Sequence, residues 1–284
     1  MKNSLSPIIK ATELLEIKTN KNLVLIDVSN SKDAENNFRN QHLDGAIFID
    51  LNRQLAEIGE DISIGGRHPL PKIEKFIFEL NKIGISPNDH IVIYDNFNGC
   101  NAAARLWWML KAIGHSKVQV LNGGMKEAVK IGFLVNSNIK EINQNQLYKS
   151  DLQNWLLPIA NLDEVEEASI NNSKTIIDVR ENKRFIGEYE PIDLVAGHIP
   201  NALNIPFTEN LDENGLFLNP NILKDKYLKS FNNKSTEEII IHCGSGVTAC
   251  STLLAINYAG IDIPKLYVGS WSEWSRKNKP IERN

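Results

Sequence analysis

The chain has 284 residues, 42% hydrophobic and 23% charged, values typical of a soluble globular protein long enough for two domains. Its formal net charge of −4 gives no electrostatic basis for binding nucleic acid or an anionic membrane surface. The N-terminal segment is interrupted by Lys10 and Glu13, and no run approaches about 20 apolar residues. These features predict a cytoplasmic protein without a signal peptide or a membrane span.

The cysteine content excludes two further classes of protein. The sequence holds only Cys100, Cys243 and Cys250, an odd number with no CxxC pair. This pattern predicts neither a disulfide framework nor a structural zinc site, and it fits a reducing compartment. We expect no metal ion and no organic cofactor.

Short apolar runs rich in β-branched residues alternate along the chain with helical patterns. The runs are nearly continuous in apolar residues, which predicts parallel strands buried on both faces. The predicted strands are 23–28, 91–94, 118–121, 175–179, 238–242 and 265–268, and the clearest predicted helices are 102–113 and 247–258. The alternation predicts an α/β fold in which each parallel β-sheet is flanked by helices on both faces.

The landmarks of the first half recur in the same order in the second half. Asp27 corresponds to Asp178 and Asp95 to Cys243, and across four such pairs the offset varies by at most ten residues. The chain is therefore read as a duplication. The predicted organisation is a first domain at 1–135, an Asn-rich linker at 136–158 and a second domain at 159–284.

Cys243 is the candidate nucleophile, because it follows a buried strand and precedes a glycine-rich turn that leads into a helix. Gly244 and Gly246 allow successive backbone N–H groups to turn inward as an anion-binding nest, and the helix N-terminus favours a thiolate. The alternatives are an inert buried cysteine and a phosphatase nucleophile. A phosphatase loop needs an arginine to grip phosphate, and residues 244–249 contain none.

Several motifs resemble one enzyme family over essentially the whole chain. The loop CGSGVTA at 243–249, with the runs GHIPNA and GSWSEW, resembles the C-terminal domain of the mercaptopyruvate and thiosulfate sulfurtransferases. RLWWMLKAIGH and NGG resemble the non-catalytic first domain of that family. The resemblance implies two rhodanese-like domains with one active site at their interface, and a persulfide carried by Cys243. Asp95 cannot carry sulfane sulfur, and Cys100 and Cys250 are expected to be structural.

The resemblance also implies roles for other residues of the site. Arg184 matches the arginine that binds the anionic group of the sulfur donor, while Ile192 stands where the mercaptopyruvate enzymes usually supply a second arginine. His68 matches a histidine that reaches the catalytic serine, here Ser245, and the pair would relay protons near neutral pH. The remaining predicted substrate-binding residues are Gly244, Gly246, Val247 and Thr248.

A third, acidic member usually supports that histidine. Alignment places Asn52 there, and Asp50 is the nearest acidic substitute. An asparagine can orient an imidazole but cannot stabilise its cation as a carboxylate does.

The loop chemistry favours 3-mercaptopyruvate over thiosulfate as the donor. Family loops that prefer the thiosulfate dianion carry basic residues after the cysteine, whereas Gly244 and Ser245 are neutral. The predicted acceptor is cyanide or a thiol, with a thioredoxin-like protein as one candidate. Two alternatives stay open from the sequence: a thiosulfate-preferring enzyme, and a persulfide carrier loaded by a partner protein. The oligomeric state also stays open.

Overall fold

The computed structural model describes residues 5–140, 147–149 and 151–283, which form two compact units. The first unit comprises 1–55 and 71–156, and the second comprises 56–70 and 157–284. Part of the predicted linker, 141–146 and residue 150, lies outside the described residues. The segment 56–70 belongs to the second unit, although the predicted boundaries assign it to the first domain.

Each unit is built on a five-stranded parallel sheet, and the two sheets have the same topology. The first has the order β1-β6-β5-β2-β4 and the second β8-β12-β11-β9-β10. The strands of the first unit are β1 (Ile8–Ile9), β2 (Leu23–Asp27), β3 (His42–Leu43), β4 (Ala46–Phe48), β5 (His90–Tyr94), β6 (Val118–Leu121) and β7 (Val135–Asn136), of which β3 and β7 form a separate antiparallel ladder. Those of the second are β8 (Ile159–Ala160), β9 (Thr175–Asp178), β10 (Leu203–Asn204), β11 (Ile239–His242) and β12 (Lys265–Tyr267).

Helices flank both sheets, so the predicted α/β class with two parallel sheets is confirmed. The first unit holds α1 (Ala11–Ile17), α2 (Ala34–Asn40), α3 (Leu51–Gln54), α4 (Ile73–Lys82), α5 (Ala102–Ala112) and α6 (Gly124–Lys130). The second holds α7 (Leu162–Asn171), α8 (Asn182–Phe185), α9 (Pro220–Phe231), α10 (Ala249–Tyr258) and α11 (Ser270–Trp274), with 3₁₀ turns at Phe207–Asn210 and Thr236–Glu238. Over the residues described, none of the helices has the length and apolarity needed to cross a bilayer.

The six predicted strands form where the sequence places them because both of their faces are buried. Ile239, Ile240 and Ile241 are all inaccessible to solvent. Ile240 belongs to a core cluster that includes Ile176 and Trp271. A strand covered on both faces needs apolar side chains at every position, which explains the continuous runs.

A repeated histidine contact supports the duplication. In the first unit His42 stacks on the ring of Phe38, and its Nδ1 lies 2.6 Å from the Phe38 carbonyl oxygen. In the second unit His198 stacks on Phe185, with Nδ1 2.8 Å from the Phe185 oxygen. Both histidines are buried and join a helix to the chain that follows it.

Asp95 organises the loop after β5, the central strand of the first sheet. Its carboxylate is buried and accepts four backbone N–H groups at 2.8–3.0 Å. The donors are Phe97, Gly99, Asn101 and Ala103. A buried carboxylate with several amide donors compensates much of its lost hydration. Burial raises the pKa of Asp95 although these hydrogen bonds oppose the rise, and the loop closes around an acceptor that the chain itself supplies.

We expect Asp95→Ala to lower the free energy of unfolding by about 3 kcal/mol, because it leaves four loop amides without their acceptor. Asp95→Asn, which keeps one carbonyl oxygen, should lose less. Urea unfolding of the two variants and the wild type measures the difference. A loss below about 0.5 kcal/mol for Asp95→Ala would show that the carboxylate does not hold this loop.

Candidate active site

Cys243 lies directly after β11, the central strand of the second sheet, and its loop leads into α10. The residue is 1% exposed. Among the described residues, no protein acceptor takes the backbone N–H groups of Gly244, Ser245, Val247 or Thr248. Buried N–H groups are rarely left without an acceptor. This loop is thus equipped to receive an anion next to the sulfur.

The segment around α11 fixes the conformation of this loop. The N–H groups of Trp271 and Ser272 donate to the carbonyl oxygens of Cys243 and Gly244 at 3.0 and 2.9 Å. Ser270 Oγ accepts the Cys243 N–H at 3.2 Å. Gly246 has φ +72°, and a Cβ there would lie 2.5 Å from the Val268 oxygen, so only glycine fits. The GSWSEW run therefore supports the nucleophile.

Ser245 and His68 are brought together as predicted. His68 Nδ1 lies 2.8 Å from Ser245 Oγ, and both residues belong to the second unit because 56–70 packs there. Asp50 has a different task. Its carboxylate caps α3 by accepting the N–H groups of Asn52 and Arg53. Ser245 is two residues after Cys243, so the serine–histidine pair is placed to transfer a proton near the sulfur.

Arg184 reaches the loop from α8 and pairs with two carboxylates. It donates to Glu190 at 2.7 and 3.1 Å, and to Asp193 at 3.3 Å. Burial would raise the pKa of Glu190, but the hydrogen bonds from Arg184 and from the Asp193 and Ile192 amides outweigh it, and the pKa lies below its ordinary value. Ile192 is itself 53% exposed. The backbone N–H of Ile192 donates to Glu190 at 3.1 Å and helps to hold that carboxylate.

A second buried arginine, Arg180, shares Glu190 with Arg184. Arg180 donates to both Asp178 oxygens and to Glu190, and it stacks over the ring of Trp271. Burial disfavours the Asp178 carboxylate, but Arg180 outweighs that cost and the pKa is lowered. For His242, whose Nε2 lies 3.7 Å from Asp178, burial disfavours the charged imidazole and lowers the pKa. His242 is therefore neutral near pH 7.

Sequence reasoning missed two residues of the site, Arg67 and Asp193. Arg67 donates through Nε and Nη2 to the two oxygens of Asp193 at 3.0 and 3.2 Å. The sequence offered a signal for Arg67, which stands next to His68. Asp193 gave no signal, because an acidic residue in a loop usually faces solvent.

The other two cysteines are also buried, and none of the three forms a disulfide in the described structure. Cys250 Sγ lies 3.4 Å from the Gly246 carbonyl oxygen, and Cys100 is in the first unit. Over the described ranges, no cluster of three or more His, Cys, Asp or Glu side chains could hold a metal ion.

Comparison with known proteins identifies the same domain twice in this chain. The rhodanese-like domain matches residues 10–130 and 161–277. The 3-mercaptopyruvate sulfurtransferase of Escherichia coli is 34% identical over 250 residues, which cover 86% of this chain and 84% of that protein. A Mycobacterium tuberculosis protein named "Putative thiosulfate sulfurtransferase SseB" is 32% identical over 243 residues, covering 85% and 83%.

A solved structure agrees with these sequence matches. The crystal structure of SseA from Escherichia coli, described as a 3-mercaptopyruvate sulfotransferase, superposes with a TM-score of 0.76 and 29% identity. The match covers 95% of this chain and all of that one. The likeness therefore extends over both units.

We expect Glu190→Gln to be less stable than the wild type by about 3 kcal/mol at pH 7, because it removes one partner of buried arginines. The pKa of Glu190 is depressed in the folded state, so its contribution is full above the unfolded-state pKa of about 4.3 and is lost as pH falls through the folded-state value. The gap between the two proteins should therefore narrow below about pH 4.

Urea unfolding at pH 7, 5 and about 3 measures this gap on both sides of the unfolded-state pKa. The neighbouring Glu188→Gln serves as the control, since Glu188 pairs only at the exposed surface with Lys183. That variant should stay within about 0.5 kcal/mol of the wild type. A gap for Glu190→Gln that is independent of pH would contradict the assignment.

Proposed function

The chain belongs to the tandem-rhodanese family of 3-mercaptopyruvate and thiosulfate sulfurtransferases, and we propose that it takes sulfur from 3-mercaptopyruvate onto Cys243. A thiophilic acceptor then removes the outer sulfur from the resulting persulfide. The observation that carries the choice of donor is the 2.8 Å contact between His68 and Ser245 beside the nucleophile.

The two donors differ in whether a proton must move. When the Cys243 thiolate attacks the sulfur of mercaptopyruvate, the carbon–sulfur bond breaks and pyruvate leaves as an enolate. The thiol proton of the donor must reach the enolate carbon, which leaves a persulfide anion and pyruvate. When the thiolate attacks thiosulfate, sulfite leaves without any proton transfer. A proton relay at this position therefore serves the first donor.

The loop amides supply the electrostatic part of the proposed mechanism. Gly244, Ser245, Val247 and Thr248 carry N–H groups that have no acceptor in the described part of the chain, next to the point where the outer sulfur becomes anionic. Such preorganised donors stabilise a developing negative charge. Arg184 is the proposed cation for the donor's carboxylate: Nε and Nη2 donate to Glu190 and Asp193, and Nη1 remains to donate to the carboxylate and orient it.

We assign the acceptor by chemistry alone. A persulfide is attacked at its outer sulfur by a nucleophile, either cyanide or a thiolate, and a thioredoxin-like dithiol is one acceptor that the proposal includes. The three free thiols support a reducing compartment, and we propose the cytoplasm.

Intact-mass measurement tests the role of Cys243. The wild type incubated with 3-mercaptopyruvate should gain one sulfur atom, and Cys243→Ser should gain none and have no turnover. Cys100→Ala, which changes a buried thiol in the first unit, should load sulfur like the wild type. Sulfur on the Cys243→Ser protein would refute the assignment. A wild type loaded by neither 3-mercaptopyruvate nor thiosulfate would instead indicate a carrier supplied by a partner protein.

Replacing the relay should separate the two donors. We expect Ser245→Ala and His68→Gln each to lower kcat/KM for 3-mercaptopyruvate by about 10²–10⁴, the usual contribution of general acid–base catalysis. Activity with thiosulfate should fall less than about tenfold, because that reaction needs no relay. Steady-state rates with cyanide as the acceptor measure both. An equal loss with both donors would indicate that the pair only shapes the loop.

A further inference from the structure

Arg67 is anchored beside the catalytic loop by three contacts of its own segment. The Gly65 N–H donates to Glu273 Oε1 at 2.8 Å, and the Arg67 N–H donates to Ser272 Oγ at 3.0 Å. Gly66 has φ +79°, and a Cβ there would lie 2.6 Å from Ser272 Oγ, so the backbone is pressed against α11. The position of Arg67 is therefore fixed by the same helix that supports Cys243.

The guanidinium group of Arg67 lies over the residue that follows the nucleophile. A Cβ built on Gly244 would be 2.8 Å from Arg67 Nη2 and 3.5 Å from Arg184 Nη2. Gly244 has no positive φ, so its backbone conformation does not require glycine. The small residue leaves room for two arginines that converge next to the sulfur.

The arginine side chains of this cluster are more exposed to solvent than its carboxylates. The side chains of Asp193 and Glu190 are 0% and 3% exposed, whereas those of Arg67 and Arg184 are 21% and 13% exposed. Asp193 also accepts from Arg276 at 3.4 Å, so three guanidinium groups share one buried carboxylate. A ligand that enters the site therefore contacts the arginine side chains before the buried carboxylates.

The hydrogen-bonded network carries one excess positive charge. Its cations are Arg67, Arg180, Arg184 and Arg276, and its anions are Asp178, Glu190 and Asp193. Glu273 lies outside this network, with its oxygens taken by the Gly65 N–H and the Tyr267 hydroxyl. One excess charge matches the single carboxylate of a keto acid better than it matches a dianion.

We propose that Arg67 binds the donor's carboxylate together with Arg184, and that Asp193 limits this site to a singly charged anion. The inference rests on the sulfur-transfer function proposed above. It assigns the second arginine of the donor site to a segment far from Ile192 in sequence. A guanidinium that binds carboxylate through two nitrogen atoms cannot be replaced by lysine without loss.

Single-turnover sulfur loading over a series of donor concentrations tests the role of Arg67. We expect Arg67→Gln to raise the concentration of 3-mercaptopyruvate at half-saturation about 10- to 100-fold, as for a lost charged hydrogen bond, with the saturated rate changed less than about threefold. Arg67→Lys should show an intermediate increase. Arg53→Gln, at an exposed pair of the first unit, should match the wild type and controls for loss of positive charge.

Asp193→Asn tests the charge limit by adding one net positive charge with little change in shape. The ratio of kcat/KM for thiosulfate to that for 3-mercaptopyruvate should rise at least about tenfold. Half-saturation within about twofold of wild type for both Arg67 variants would overturn the assignment of Arg67, and an unchanged donor ratio for Asp193→Asn would overturn that of Asp193. A wild type that loads no sulfur from either donor would instead refute the proposed function, so the two failures are distinguishable.

Discussion

A set of loop N–H groups that need an acceptor, at the carboxyl end of the central strand, is the constraint on which each half of this chain depends. In the first unit the acceptor is Asp95, whose carboxyl group accepts four loop amides. In the second unit Cys243 stands at the equivalent position, and four amides of its loop have no acceptor among the residues described. The same turn thus has two outcomes. In the first unit the loop amides are occupied by a side chain of the protein, and in the second they remain for the sulfur anion of the proposed mechanism.

Under the proposed function, this difference explains why the second half of the duplicated chain carries sulfur and the first half does not. A carboxylate fixed by four amides cannot accept sulfur, and it leaves no donor for another anion. Because the first loop does not have to bind a transferred sulfur, its own side chain, Asp95, can occupy the loop amides. The second loop cannot stabilise itself in this way, so its support comes from outside, through Ser270, Trp271 and Ser272.

The fold could be predicted from the sequence because its main signals are local. Continuous apolar runs predicted six of the twelve described strands to within one residue, and Gly114 and Gly260, both with positive φ, end α5 and α10 where the pattern places a stop. The other six strands have only two or three residues each, too few to give a periodic signal. The resemblance supplied the pairing of His68 with Ser245. The contact of Arg67 with Asp193 could not be predicted, since it joins residues 126 apart and depends on which unit the segment 56–70 packs with.

The proposed donor site separates two negative charges that the reaction must handle in turn. The carboxylate of the donor belongs to the arginines, and the transferred sulfur belongs to the loop amides beside Cys243. In the proposed arrangement, each charge is next to the group that would stabilise it when the carbon–sulfur bond breaks. Pyruvate can then leave from the arginines while the persulfide keeps its amides. A single cation that bound both anions would retain pyruvate together with the persulfide. With separate binding groups, pyruvate can leave while the persulfide stays.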